Sequence, residues 1–325
     1  MYERITKKLF SAETIAVFMH VNPDGDCVGS SLALYHYLRN LGKEVYVFCE
    51  QKEDIRENLY VLPGIEVINS KELKYYDLGI AVDCGSAPRM GKDCAKKYFN
   101  RCDDHACFDH HETGEPFVED LIFENVASTT QILYKFMVEN DESAIDKNVA
   151  TCLYAGIVTD SGIFSFSSVT SETLLIASKL LKYGIDGHML SFKLMKEETP
   201  EVYALKCKAL ANTRFYMDGK VAIISFTRED YLKTGTRAYD TEVAINNVLN
   251  IKGVKLAISV AEMEDQPAFK IGIRTKDGVN AGKYASMFGG GGHFNASGCR
   301  IYASLNETIN KLLSAAERFL EDYDA

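Results

Sequence analysis

Asp109-His110-His111 closes the apolar stretch Ala106-Cys107-Phe108 and sets carboxylate and imidazole donors side by side where a strand would stop. Three other segments repeat the pattern. His20-Val-Asn-Pro-Asp24-Gly-Asp26 ends a β-rich run, Asp83 closes Gly79-Ile-Ala-Val, and Asp160 follows Gly156-Ile-Val-Thr. Four carboxylates and two or three imidazoles offered this way suit a pair of divalent cations. Asp24 and Asp26, two apart on a turn, can face different ions, with Gly25 allowing the bend and Pro23 stiffening its start. Asp83 supplies the bridging carboxylate that cations roughly 3.5–4 Å apart need. Adjacent histidines in an extended segment point to opposite sides. One of His110 and His111 can therefore ligate while the other turns to substrate, and Asp109 can orient an imidazole from behind.

These groups are distant in sequence, so a fold must gather them. Residues 14–21 read as a strand, 27–41 as a helix stopped at Gly42, and 45–49, 78–82 and 106–108 as further strands. Ser128-Thr-Thr-Gln131 predicts a capping box, and residues 146–158 a helix whose end presents Asp160. Strands alternating with helices imply a largely parallel sheet covered on both faces. Ligands bind beyond the carboxyl ends of such strands, which puts Asp24, Asp83 and Asp109 on one rim. Residues 170–211 are helical in pattern. A two-residue Asp218-Gly219 hairpin turn then opens a second domain, with a helix near 241–250, strands at 255–261 and 268–274, a helix at 279–288 and an amphipathic helix from 305 to about 323. The expected organisation is α/β. A doubly wound, largely parallel sheet spans residues 1–192, a helical connector 193–211, and a smaller α/β domain 212–325.

The second chemical feature lies in that last domain. Gly289-Gly290-Gly291-Gly292 precede His293. Four glycines pack nothing and cost chain entropy, but they let backbone N–H groups approach an anion. His293 adds a donor, and Arg274 at a strand end can supply a guanidinium for phosphate. Of the other histidines, His36 reads as structural, and His105 and His188 as surface positions.

Bulk properties bound the rest. The 325 residues are 46% hydrophobic and 25% charged, ordinary for a two-domain globular chain. No run of 18 apolar residues is present, so no membrane partner is expected, and residues 1–10 predict no secretory signal. Nine scattered cysteines without a Cys-x-x-Cys pair suit reduced thiols in the cytoplasm. The net charge of −10 argues against duplex DNA. Residues 200–325 hold 16 Lys and Arg against 15 Asp and Glu, while residues 1–199 hold 20 against 31. An acidic half that loads cations beside a near-neutral half that holds an anionic substrate accounts for the asymmetry.

Taken in order, these motifs resemble the DHH phosphoesterase superfamily, and the Gly-Gly-Gly-His segment resembles its DHHA1 domain. Nearly the whole chain is covered, and the compact bacterial nanoRNases, also described as phosphoadenosine phosphate (pAp) phosphatases, look most similar. The resemblance implies an active site in the cleft between the two domains. It implies that His20, Asp24 and Asp83 bind one metal and Asp26, Asp83, His110 and Asp160 the other, with Asp83, Asp109, His110 and His111 serving catalysis. His111, Arg274, Gly290, Gly291, Gly292 and His293 would contact substrate. Arg274-Thr275-Lys276 stands where Arg-Ser-Lys is expected, leaving one hydroxyl contact open. The charge of Asp24, Asp26, Asp83 and Asp160 balances two divalent cations. An oxygen and imidazole set without thiolate favours Mn²⁺, with Mg²⁺ and then Zn²⁺ as alternatives. The expected substrates are short single-stranded RNA or a small nucleotide such as pAp, and family likeness implies a homodimer. Cyclic-dinucleotide or pApA phosphodiesterases would use the same chemistry, and a non-catalytic nucleotide- or RNA-binding protein is the reading of another class.

Overall fold

The computed structural model describes residues 2–111, 115–292 and 294–324. The chain forms two units, residues 1–197 and 198–325. In the first lie α1 (Glu3–Ser11), β1 (Thr14–Phe18), α2 (Gly25–Asn40), β2 (Glu44–Phe48), β3 (Tyr76–Val82), α3 (Lys92–Lys97), β4 (Cys102–Asp109), β5 (Leu121–Phe123), α4 (Thr129–Asp141), α5 (Lys147–Asp160), α6 (Ser171–Leu181) and α7 (Gly187–Met195). All strand pairs are parallel, in the order β2-β1-β3-β4-β5. The strand order reverses between β1 and β3, and the pairing Phe18↔Ala81 brings their carboxyl ends level. A reversal of this kind splays the following loops apart and opens a crevice at the rim.

Alternation along the strands builds two cores. Ile15, Val17, Ile80, Val82 and Phe108 face α2, α4 and α5 on one side, while Ala16, Phe18, Ala81 and Cys107 face the α3 side. Burial on both faces explains why these strands read as continuous apolar runs. Helix α2 packs against both α4 and α5. Its Val28, Leu32, Leu34 and Leu38 are fully buried, each contributing about 1.5–3 kcal/mol. That packing anchors the helix whose first turn carries Asp26.

Sequence patterning missed α1 and β5, and it shortened β4 to residues 106–108. The first half of β4, Cys102-Asp-Asp-His, is polar, yet it pairs with β3 from Tyr76↔Cys102 onward, and Lys8 of α1 makes an ion pair with Asp104. The capping box at Ser128 is half formed. The Ser128 hydroxyl accepts from the Gln131 N–H, but the Gln131 side chain turns to Glu172 and Thr173.

The second unit contains α8 (Pro200–Ala211), β6 (Arg214–Tyr216), β7 (Val221–Phe226), α9 (Arg228–Thr234), α10 (Ile245–Leu249), β8 (Leu256–Glu262), β9 (Phe269–Thr275), α11 (Ala281–Ser286), β10 (Gly291–Gly292), β11 (Ala296–Ile301) and α12 (Leu305–Asp324). Its sheet runs β10-β11-β9-β8-β7-β6, parallel only at β7–β8. One face carries α11 and α12, and the other carries α8, α9 and α10. Leu205 and Ala209 bury α8 in this second core. The β6–β7 hairpin pairs Tyr216 with Val221, so its loop has four residues rather than two. Met217, Asp218 and Gly219 are all left-handed.

The glycine run is partly a strand. Gly291 and Gly292 pair with Gly298 and Ser297 at the sheet edge, and a Cβ on Gly290 would sit 2.2 Å from the Gly298 carbonyl oxygen. Close approach to β11 is thus one physical reason for glycine here. Among the described residues, no helix is long and apolar enough to cross a membrane.

Candidate metal centre

The loops after β1, β3 and β4 and the end of α5 deliver the sequence-predicted side chains to one place. Asp24 caps α2, its Oδ1 accepting from the N–H groups of Asp26 and Cys27 at 3.2 and 3.0 Å. Its Oδ2 lies 3.7 Å from His20 Nε2, which is 3.4 Å from Asp83 Oδ2. Asp83 also faces the two histidines of β4's end, with Oδ1 at 3.5 Å from His110 Nε2 and 3.6 Å from His111 Nδ1. His110 Nε2 lies 3.1 Å from Asp160 Oδ2 and 4.0 Å from Asp26 Oδ2. Asp83 is left-handed, φ +56°, a conformation aspartate tolerates better than most residues. Its N–H donates to the Phe108 carbonyl at 2.8 Å, which ties the turn after β3 to β4.

Asp26 is fully buried at the N-terminus of α4. It accepts from the N–H groups of Thr129 at 2.6 Å and Thr130 at 3.1 Å, and from the Thr130 hydroxyl at 2.8 Å. The positive end of α4 therefore holds a carboxylate far from water. Thr129 Oγ1 donates to Asp83 Oδ1 at 2.9 Å, so one helix start positions two acids. Glycine makes the approach possible. A Cβ on Gly156 of α5 would lie 2.5 Å from Asp26 Oδ1, and one on Gly25 would lie 2.4 Å from Thr159 Oγ1. Gly25 is consequently a packing residue at the start of α2, not the bend expected from the sequence.

The three imidazoles are held differently. Nδ1 of His20 contacts the Val21 carbonyl at 2.8 Å and Nδ1 of His110 the Val126 carbonyl at 3.0 Å. A carbonyl only accepts, so both Nδ1 atoms carry a proton and both Nε2 atoms turn toward the carboxylates. Among the described residues, His20 Nε2 is buried with no hydrogen-bond partner. His111 instead bonds Asp109 Oδ1 through Nδ1 at 2.7 Å, which leaves Asp109 behind the ring.

Crowded carboxylates draw positive charge. Burial opposes a charged His110, yet Asp160, Asp83 and Asp26 push it up to about 11. His20 is likewise raised well above the ordinary imidazole range, against burial, by Cys27, Asp24 and Asp83. Burial would raise Asp83, but His20, His110 and His111 hold it far below the ordinary carboxylate range. Asp26 moves the other way, raised by burial and by Asp83 and Asp160. An imidazole nitrogen without a hydrogen-bond partner among the described residues, a second imidazole aimed the same way and a shared carboxylate fit divalent cations. Donor groups of the kind that could hold a metal are Asp83-His110-His111, Asp26-His110-Asp160 and His20-Cys27-Asp83.

Sequence reasoning missed Thr129, Thr130 and Cys27. The threonines sit in the segment read only as a cap, and nothing local ties them to Asp26, 103 positions away. Cys27, next to Asp26, reads in the sequence as one of nine scattered reduced thiols. His105, read as a surface residue, is half-buried against Phe99 with Nε2 on the Phe99 carbonyl.

The second-unit residues stand apart in character. Arg274, on β9, pairs in register with Ala296 and donates from Nη1 to the Ile273 carbonyl at 3.0 Å. Thr275 is buried, its hydroxyl donating to the Val279 carbonyl at 2.7 Å, so that group serves the fold. Gly291 and Gly292 are exposed. His293 lies outside the described residues.

Comparison with known proteins agrees along the chain. Residues 14–157 match the DHH family, N-terminal domain, and residues 218–322 the DHHA1 domain. The bifunctional oligoribonuclease and PAP phosphatase NrnA of Thermus thermophilus is 27% identical over 310 residues, 94% of this chain and 90% of that protein. Its Bacillus subtilis namesake is 26% identical, with 96% of each chain covered. The crystal structure of an exopolyphosphatase-related protein from Bacteroides fragilis superposes with a TM-score of 0.90 at 29% identity, covering 99% of this chain and 95% of that one. With the DHH motif, its acidic and imidazole partners and the DHHA1 domain all in place, the chain belongs to the DHH/DHHA1 family of phosphoester-hydrolysing enzymes.

Proposed function

We propose that this protein hydrolyses short oligoribonucleotides to mononucleotides and 3′-phosphoadenosine 5′-phosphate to AMP, using two divalent cations, with Mn²⁺ preferred. His20, Asp24 and Asp83 hold one cation, and Asp26, Asp83, His110 and Asp160 the other. The observation that carries this reading is the matched orientation of His20 and His110. Both donate Nδ1–H to a backbone carbonyl and turn Nε2 toward the same Asp83. Bound there, two divalent cations supply the positive charge that water activation and the phosphoryl oxygens require.

The remaining roles belong to the chain. Thr129, Thr130 and the start of α4 aim the Asp26 and Asp83 carboxyl groups. Asp109 accepts from His111 Nδ1 and fixes that ring, so its Nε2 is the atom that reaches substrate phosphate or the leaving oxygen. In the hydrolysis, water gives hydroxide to phosphorus and a proton to the departing ester oxygen. Arg274, His293 and the Gly290-Gly291-Gly292 edge bind the substrate's phosphate and terminal nucleotide. The names of relatives that match over nearly their whole length support the choice of substrates.

The test is purified protein with Mn²⁺ against labelled di- to pentanucleotides and pAp, with pApA and a cyclic dinucleotide in parallel. Release of mononucleotides and of AMP is expected. Turnover confined to pApA or the cyclic dinucleotide would replace the substrate assignment, and binding without turnover of any would overturn the catalytic one.

A further inference from the structure

Eight of the nine cysteines are buried. Several serve as small apolar groups, with Cys84, Cys94, Cys102 and Cys107 sharing the α3-side core. Cys27 differs. Its Sγ, an imidazole nitrogen of His20 and a carboxylate oxygen of Asp83 all lie within 4.8 Å of one another. None of the three residues is more than 1% exposed. The His20 backbone N–H donates to Cys27 Sγ at 3.3 Å. Within this group, His20 Nε2 is buried and makes no hydrogen bond among the described residues. Among the described residues, no other cysteine stands in such a donor group.

We propose that Cys27 is a sulfur ligand for the cation that His20 and Asp83 hold, which makes that position thiophilic while the position of His110 and Asp160 stays an oxygen and imidazole site. The inference rests on the two-cation reading and confines its Mn²⁺ preference to the position of His110 and Asp160. Thiolate donors favour Zn²⁺ or Co²⁺ over Mn²⁺. Binding forms the metal–sulfur bond and releases the thiol proton to solvent.

Co²⁺ titration of metal-free, full-length protein tests this directly, in a Cys207→Ser background that removes the exposed thiol. One Co²⁺ equivalent is expected to bring a near-ultraviolet sulfur-to-cobalt charge-transfer band, lost in Cys27→Ser and Cys27→Ala. Visible cobalt absorption from the other position should remain. Affinity for Zn²⁺ at the affected position should fall about tenfold or more, with Mn²⁺ changed less. Bound cobalt without the band, or a band indifferent to both substitutions, overturns the role of Cys27 and leaves the two-cation site standing. If the parent protein binds neither Co²⁺ nor Mn²⁺, both readings fall. The parent spectrum decides the matter even if a Cys27 variant does not fold.

Discussion

At the rim of the first sheet, His20, Asp26 and Asp83 are almost wholly buried, and each is fixed by backbone or threonine partners. At the edge of the second sheet, Gly291 and Gly292 are exposed and Phe294 stands 52% exposed. The contrast separates two kinds of work. Buried like charges are costly unless donors and cations offset them, so the rim is over-determined by the fold. The second edge instead leaves its backbone open, and little of it is buried.

Substitutions probe that contrast unequally. Asp83→Asn should have the largest effect. It keeps a side chain that tolerates the left-handed turn but removes the charge both positions share, so metal analysis should find both cations lost and activity at background. Retention of one full equivalent would show that Asp83 does not bridge. His111→Gln should cut kcat about 10²-fold or more with metal content unchanged. Loss of metal instead would make His111 a ligand.

Thr129→Val removes the hydroxyl donated to Asp83 and should weaken metal affinity about tenfold, with Thr129→Ser restoring it. An unaltered affinity would reduce Thr129 to packing. On the second sheet, Arg274→Ala should raise KM about tenfold without touching metal stoichiometry. A fall in bound metal there would erase the division between the two regions. The smallest effect is a proton count. Because His110 is pushed up to about 11, it is protonated near neutral pH in metal-free protein, and cation and proton compete for Nε2. Mn²⁺ binding should release about one proton there, and affinity should rise with pH. Calorimetry in buffers of different ionisation enthalpy reads this, and no release would contradict the assigned lone pair.

Much of the rim was legible in the sequence because strand ends and acidic turns are local. Apolar runs that stop at Asp24, Asp83 and Asp109 announce a parallel sheet with a ligand edge. The fine structure was hidden where contacts are long-range. Thr129 and Thr130 read as a cap because their acceptors lie in α2 and after β3. Cys27 read as an inert thiol because its distance to His20 and Asp83 depends on how α2 seats under β1. Gly289 to Gly292 suit an anion cradle and a tight edge strand equally in composition, and only the pairing with β11 shows that the second demand is real.

Anomalous diffraction from a crystal soaked with Mn²⁺ and a nucleotide monophosphate tests the central claim most directly. Two manganese peaks should appear, both within ligand distance of Asp83, one beside His20 and the other beside His110 and Asp160. A single peak, or peaks away from this cluster, would contradict the account.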